Sequence, residues 1–167
     1  MGEVASNPQI ILIDGPAGAG KTTLSFTLQK EFNCEVIHLD DIYNGWDDAL
    51  GTSLTNTLLA LVNSFKNGSE HQLPIFNWQT MQFDSSRVIA PAETLIIEGV
   101  GAGQSAIRKF AKRLYWLDVD SEIGYQRVIA RDGEAIAEQM KIWKIREAKH
   151  FEAERTREFA DFIISTS

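Results

Sequence analysis

Residues 15 to 23 read Gly-Pro-Ala-Gly-Ala-Gly-Lys-Thr-Thr and follow directly on the apolar run Ile10 to Ile13. They fill every fixed position of the phosphate-binding pattern G-x-x-x-x-G-K-[ST]. Gly15, Gly18 and Gly20 allow the tight turns that aim successive backbone N–H groups inward at phosphate oxygens. Lys21 adds a point charge, and the hydroxyl of Thr22 has the chemistry to complete a Mg²⁺ shell. The stretch Gly15, Pro16, Ala17, Gly18, Ala19, Gly20, Lys21, Thr22 and Thr23 is therefore the expected cradle for a nucleoside triphosphate, with ATP and Mg²⁺ as the implied ligands.

Two further acids stand where chemistry on such a ligand needs them. Asp40 and Asp41 end the apolar run Val36 to Leu39, and Tyr43 and Trp46 follow. A carboxylate just beyond a γ-phosphate either takes the proton of an acceptor hydroxyl or holds the metal through water, and Asp40 is the candidate for both roles. Asp41 is either an acceptor contact or a turn residue. Glu98 ends the run Leu95 to Ile97 and is a candidate metal partner, followed by glycines at 99, 101 and 103. Arg127 and Arg131 are spaced to share one helix face, from which both could meet a transferring phosphoryl group. Trp46 and Trp78 either stack on an acceptor or fill core. His38, inside an apolar run, reads as a satisfied core residue, and His71 and His150 have no evident partners.

The elements that must position these residues follow from the apolar pattern. Runs at 10–13, 36–39, 95–97, 114–119 and 162–164 are apolar on both faces and are separated by segments of helical spacing. That pattern predicts a five-stranded parallel sheet between helical layers, with ligands at the carboxyl ends of the strands. Helices are expected from Thr22 to Phe32, from about Leu50 to Phe65 with Asp47 or Asp48 as its cap and Gly68 as its stop, from Ser121 to Arg131, and from Glu134 to Arg157. Asp132-Gly133 breaks the last two apart, so that residues 121–140 form a short lid. Residues 69 to 92 carry no strong period and read as an irregular excursion above the sheet edge.

The chain has 167 residues, enough for one domain with one core. A net charge of −7 without a basic tract argues against nucleic acid or an anionic membrane as the partner. The single cysteine, Cys34, reads as a small buried apolar residue and fits a reducing, cytoplasmic compartment. Met1 to Ser6 matches a short acylation pattern of low specificity.

Taken together, these motifs resemble the uridine kinase branch of the phosphate-loop nucleoside and nucleotide kinases. Leu39-Asp40-Asp41-Ile42-Tyr43 is similar to that family's Asp-[Ser/Asp]-Phe-Tyr segment. Phe76-Asn77-Trp78, Ile96 to Val100, Arg127 to Asp132 and Ala160 to Ile164 fall in the family's order. The resemblance implies a three-layer α/β nucleotide-binding fold, an acceptor-side base at Asp40, a magnesium partner at Glu98, an acceptor wall at Tyr43, and lid arginines at 127 and 131 with Lys21 on the phosphates. Two departures bear on the acceptor: the lid lacks a second basic cluster, and Asn77 replaces a common aspartate. The expectation is a small-molecule kinase using Mg-ATP, with a hydroxyl or phosphate of a nucleoside, a nucleotide or a similarly sized metabolite as acceptor, against a nucleotide-binding regulator or an NTPase switch.

Overall fold

The computed structural model describes residues 7–167; the acylation pattern at Met1 to Ser6 lies outside them. Seven strands and five helices run β1 (Gln9–Asp14), α1 (Lys21–Phe32), β2 (Glu35–His38), α2 (Thr52–Lys66), β3 (His71–Asn77), β4 (Gln82–Ile89), β5 (Thr94–Glu98), α3 (Ser105–Arg108), β6 (Arg113–Asp118), α4 (Ser121–Asp132), α5 (Ala137–Glu154) and β7 (Phe162–Ser165). Five strands form one parallel sheet in the order β2-β5-β1-β6-β7, which contains all five apolar runs.

The alternation of side chains along β1 sorts the core into two layers. Ile11 and Ile13 face α1, packing with Leu28, Val36, Ile96 and Leu117. Ile10 and Leu12 face the opposite way, onto Leu54, Leu58, Leu61 and Phe65 of α2 and Met140 and Trp143 of α5. Every residue of Ile10 to Ile13 is fully buried. Burial of side chains of this size is worth about 1.5–3 kcal/mol each, which makes the central strand the rigid base of the site. No helix among the described residues is long and apolar enough to cross a membrane.

Four expectations change. Residues 69 to 92 are not irregular: β3 and β4 form an antiparallel hairpin outside the main sheet. A register shift between Ile75 and Phe76 breaks the period-two pattern of β3, and β4 is exposed along most of its length, so neither strand shows alternation in sequence. The cap of α2 is Gly51, without a side-chain bond, because Asp48 accepts from Asn44 Nδ2 at 2.8 Å instead. The last helix starts at Ala137 after a 3-10 turn over Glu134–Ile136 and ends at Glu154. Cys34 is half-buried at the margin of the α1 layer, not within it.

Candidate active site

The phosphate-binding loop joins β1 to α1 at the carboxyl edge of the sheet. Its glycines are dictated by contact. A Cβ on Gly18, at φ +82°, would lie 2.2 Å from the backbone oxygen of Gly124 on α4, so the loop and α4 touch backbone to backbone. Gly20 caps α1 at φ 97° with no side chain over the helix end, and the first turn of α1 contains no acid. The N–H groups there are left for an anion.

Lys21 is buried and its Nζ donates to Gly15 O and Pro16 O, both at 2.8 Å. The ammonium is thus folded over the loop's own carbonyls, in the space a phosphate oxygen would share. Burial lowers its pKa, opposed by the charges of Asp14, Glu98, Glu147 and Asp40. Behind it Asp14 is fully buried and accepts from the N–H groups of Gly15 at 2.7 Å and Gly103 at 2.8 Å, with Gly101 at 3.2 Å. Burial outweighs those bonds and raises the Asp14 pKa to about 6. This acid, which sequence reading missed, ties the start of the loop to the turn after β5.

Glu98 ends β5 next to His38 at the end of β2, the two being paired in register. Its Oε1 lies 2.6 Å from His38 Nδ1 and accepts from Thr22 Oγ1 at 3.3 Å. His38 is therefore not a core residue: it is half-buried at the strand tip, and its hydrogen bond with Glu98 raises its pKa. No cluster of three or more His, Cys, Asp or Glu with metal-ligand geometry exists among the described residues. A Thr hydroxyl beside one carboxylate nevertheless fits Mg²⁺, which is usually held by one or two carboxylates plus substrate phosphates.

A cavity of about 610 Å³ opens above the loop and joins these groups. Two sets of residues line it: loop residues with Thr22 and Thr23, and Asp40, Tyr43, Trp46, Trp78, Val100, Met140 and Trp143. Asp40 sits in the 3-10 turn after β2, with its surface exposed to the cavity. The enclosing walls strip water from its carboxyl and raise its pKa, and Glu98 adds to the rise. Tyr43 is buried and donates to Val100 O at 2.7 Å. Trp46 and Trp78 meet edge to face at 5.5 Å; Trp78 is exposed and Trp46 only partly buried against the core, so neither belongs wholly to it. The Trp78 Nε1–H donates to Asp40 O at 2.8 Å, which docks the hairpin turn on the residue that carries the candidate base.

Arg127 and Arg131 both reach the cavity from α4. Arg127 donates to Gly18 O and to both Thr166 oxygens, bracing the loop; Arg131 forms a two-bond pair with Asp132 at 2.8 and 2.9 Å. Asp41, the expected acceptor contact or turn residue, is exposed in the same 3-10 turn and lies outside the cavity lining. His71 finds a partner in Ser64 Oγ at 3.1 Å. Trp143, Met140 and Glu147 of α5 are contributors without a sequence signal, since apolar and acidic residues on a helix read as core and solvent faces.

Residues 11–152 match the AAA domain family. The chain belongs to that family. No curated protein matches it in sequence. Among solved structures, one described as a candidate uridine kinase from Bacillus stearothermophilus is 21% identical, with a TM-score of 0.65 over 96% of this chain and 90% of that one. Another, described as a candidate fructose transport system kinase from Silicibacter sp. TM1040, is 18% identical, with a TM-score of 0.73 over 98% and 92%. Shikimate kinase from Bacteroides thetaiotaomicron is 16% identical, with a TM-score of 0.55 over 94% and 86%. These likenesses show the three-layer α/β phosphate-loop fold for this AAA domain chain.

Proposed function

We propose that this AAA domain protein is an ATP-dependent phosphotransferase that moves the γ-phosphoryl group of Mg-ATP to a hydroxyl of a small-molecule acceptor, a nucleoside or a metabolite of similar size. The observation that carries this reading is the shared cavity: Asp40 lines the same space as Lys21 and Thr22, together with Tyr43, Trp46 and Trp78. A module that only binds nucleotide has no use for a carboxylate there.

In this reading the loop N–H groups and Lys21 hold the triphosphate, and Tyr43, Trp46 and Trp78 orient the acceptor. Thr22 and Glu98 would hold Mg²⁺, which supplies charge neutralisation across the phosphates when bound. The acceptor oxygen bonds to the γ-phosphorus as the bond from that phosphorus to the bridging oxygen breaks. Its proton passes to the Asp40 carboxylate, and ADP departs with the electron pair. A carboxyl with a raised pKa is the better base for this step. Arg127 and Arg131 lie close enough on α4 to spread the charge of the equatorial oxygens once they exchange their present partners.

The test is acceptor-dependent ADP release over a panel of nucleosides, nucleotides, sugars and hydroxy acids, run beside Asp40→Asn. Turnover with one acceptor class that collapses in the variant supports the proposal. Nucleotide binding without turnover of any acceptor, or equal turnover in the variant, favours a regulatory nucleotide-binding module.

A further inference from the structure

Glu147 lies on α5, outside every motif in the sequence, and its side chain is 4% exposed. A carboxylate withdrawn from water costs several kcal/mol unless partners replace the lost hydration. Here the partners come from the phosphate-binding loop and from α5 itself. Oε2 accepts from the backbone N–H of Ala17 at 3.1 Å and from the indole Nε1–H of Trp143 at 3.0 Å. Oε1 lies 3.4 Å from Lys144 Nζ, one helical turn away, which balances the charge.

Ala17 belongs to the phosphate-binding loop, and Trp143 belongs to the acceptor wall, where it meets Tyr43 at 5.4 Å and Trp46 at 6.1 Å. We propose that Glu147 is a positioning residue that couples the loop to the aromatic wall: one carboxylate oxygen holds the nucleotide loop and the acceptor wall in register, so that a shift of Ala17 on phosphate binding is passed to Trp143. The coupling rests on the loop being a nucleotide site, as proposed above. A hydrogen bond that merely fastened α5 to the loop would need only one of the two donors. The second, from a wall residue, gives occupancy of one half a route to the other through contacts of 3.0 and 3.1 Å.

The probe is Mg-ADP, followed by calorimetry and by indole emission from the four tryptophans, Trp46, Trp78, Trp116 and Trp143. In the wild-type protein Mg-ADP binds and changes the emission, and Trp143→Phe removes most of that change. Glu147→Gln, whose amide oxygen can take the place of Oε2, keeps both the emission change and a Kd within about twofold of wild type. Glu147→Met removes the shared acceptor, weakens Mg-ADP about tenfold, the scale of one unmet buried hydrogen bond, and lacks the Trp143 response even at saturation. A purely structural fastening predicts weaker binding with the full response restored at saturation, and that result would overturn the coupling while leaving the nucleotide site intact. If Mg-ADP does not bind the wild-type protein, the nucleotide reading falls and the coupling falls with it. If Glu147→Met loses cooperative thermal unfolding, Trp143→Phe decides: a Kd for Mg-ADP raised about threefold, for the loss of one of the two donors, supports the coupling, and a wild-type Kd overturns it.

Discussion

The two ends of the cavity are made of different material. The phosphate end is mainly backbone: a loop of nine consecutive residues whose glycines answer to contacts such as Gly18 on Gly124, and whose donors are N–H groups at the start of α1. The part proposed for the acceptor is side chain, assembled from the β2 turn, the β3–β4 hairpin, the β5 tip and α5, with residues from Asp40 to Trp143. A backbone site tolerates few changes and recognises a chemical group common to many ligands. A side-chain site can be rebuilt residue by residue, which is why one fold can face such different acceptors as its solved relatives are named for.

The largest effect is expected at the phosphate end. Lys21→Ala should lower phosphotransfer by about 10³-fold and weaken ATP binding, because its buried ammonium is the charge held on the loop's own carbonyls, Gly15 O and Pro16 O. Steady-state kinetics with calorimetry checks this, and undiminished turnover would contradict the assignment of the loop.

Asp14 sharpens the same end through stability. Its pKa of about 6 in the folded protein lies above the ordinary 3.8 of the unfolded chain, so folding favours the protonated acid. The contribution is therefore most favourable below about pH 4 and is lost as pH rises through 6, a swing of about 3 kcal/mol at 1.36 kcal/mol per pH unit. Urea denaturation from pH 4 to 7 should show the stability of wild type falling relative to Asp14→Asn over that window. A pH-independent difference would mean that Asp14 is charged throughout.

Asp40→Asn should cut the transfer rate by about 10²-fold and leave ATP affinity nearly unchanged, since the group acts on the acceptor. Asp41→Asn, at an exposed residue outside the cavity lining, should leave the rate close to wild type. Reversal of the two would invert the reading of the β2 turn.

The smallest effect tests whether the hairpin helps place the base. Trp78→Phe keeps an aromatic wall and loses the bond to Asp40 O, so kcat should fall about fivefold, the worth of one hydrogen bond, with ATP affinity unchanged. Hydrogen exchange should also show residues 71–89 opening more readily in the variant. If neither changes, the hairpin is only a wall.

Much of the phosphate end was legible because its information is local. A run of glycines, a lysine and a threonine between a strand and a helix specify a turn and a ligand within a few residues, and five apolar runs specify a buried parallel sheet. Glu98 and Asp40 were legible for a related reason: residues at strand ends collect at one edge of such a sheet. The hairpin was hidden because a register shift and an exposed strand erase alternation.

The sequence by itself therefore determined the sheet, the loop, the acids at the strand tips and the class of ligand group, all properties of short segments and their period. Only the tertiary structure decided that His38 meets Glu98, because strand order sets which tips are neighbours. It alone decided that Asp41 lies outside the cavity lining, that Trp78 bonds to the backbone of Asp40, and that Glu147 reaches Ala17 across 130 residues of chain. Such pairings depend on how helices and the hairpin pack over the sheet, and packing is a property of the whole core that no single segment encodes.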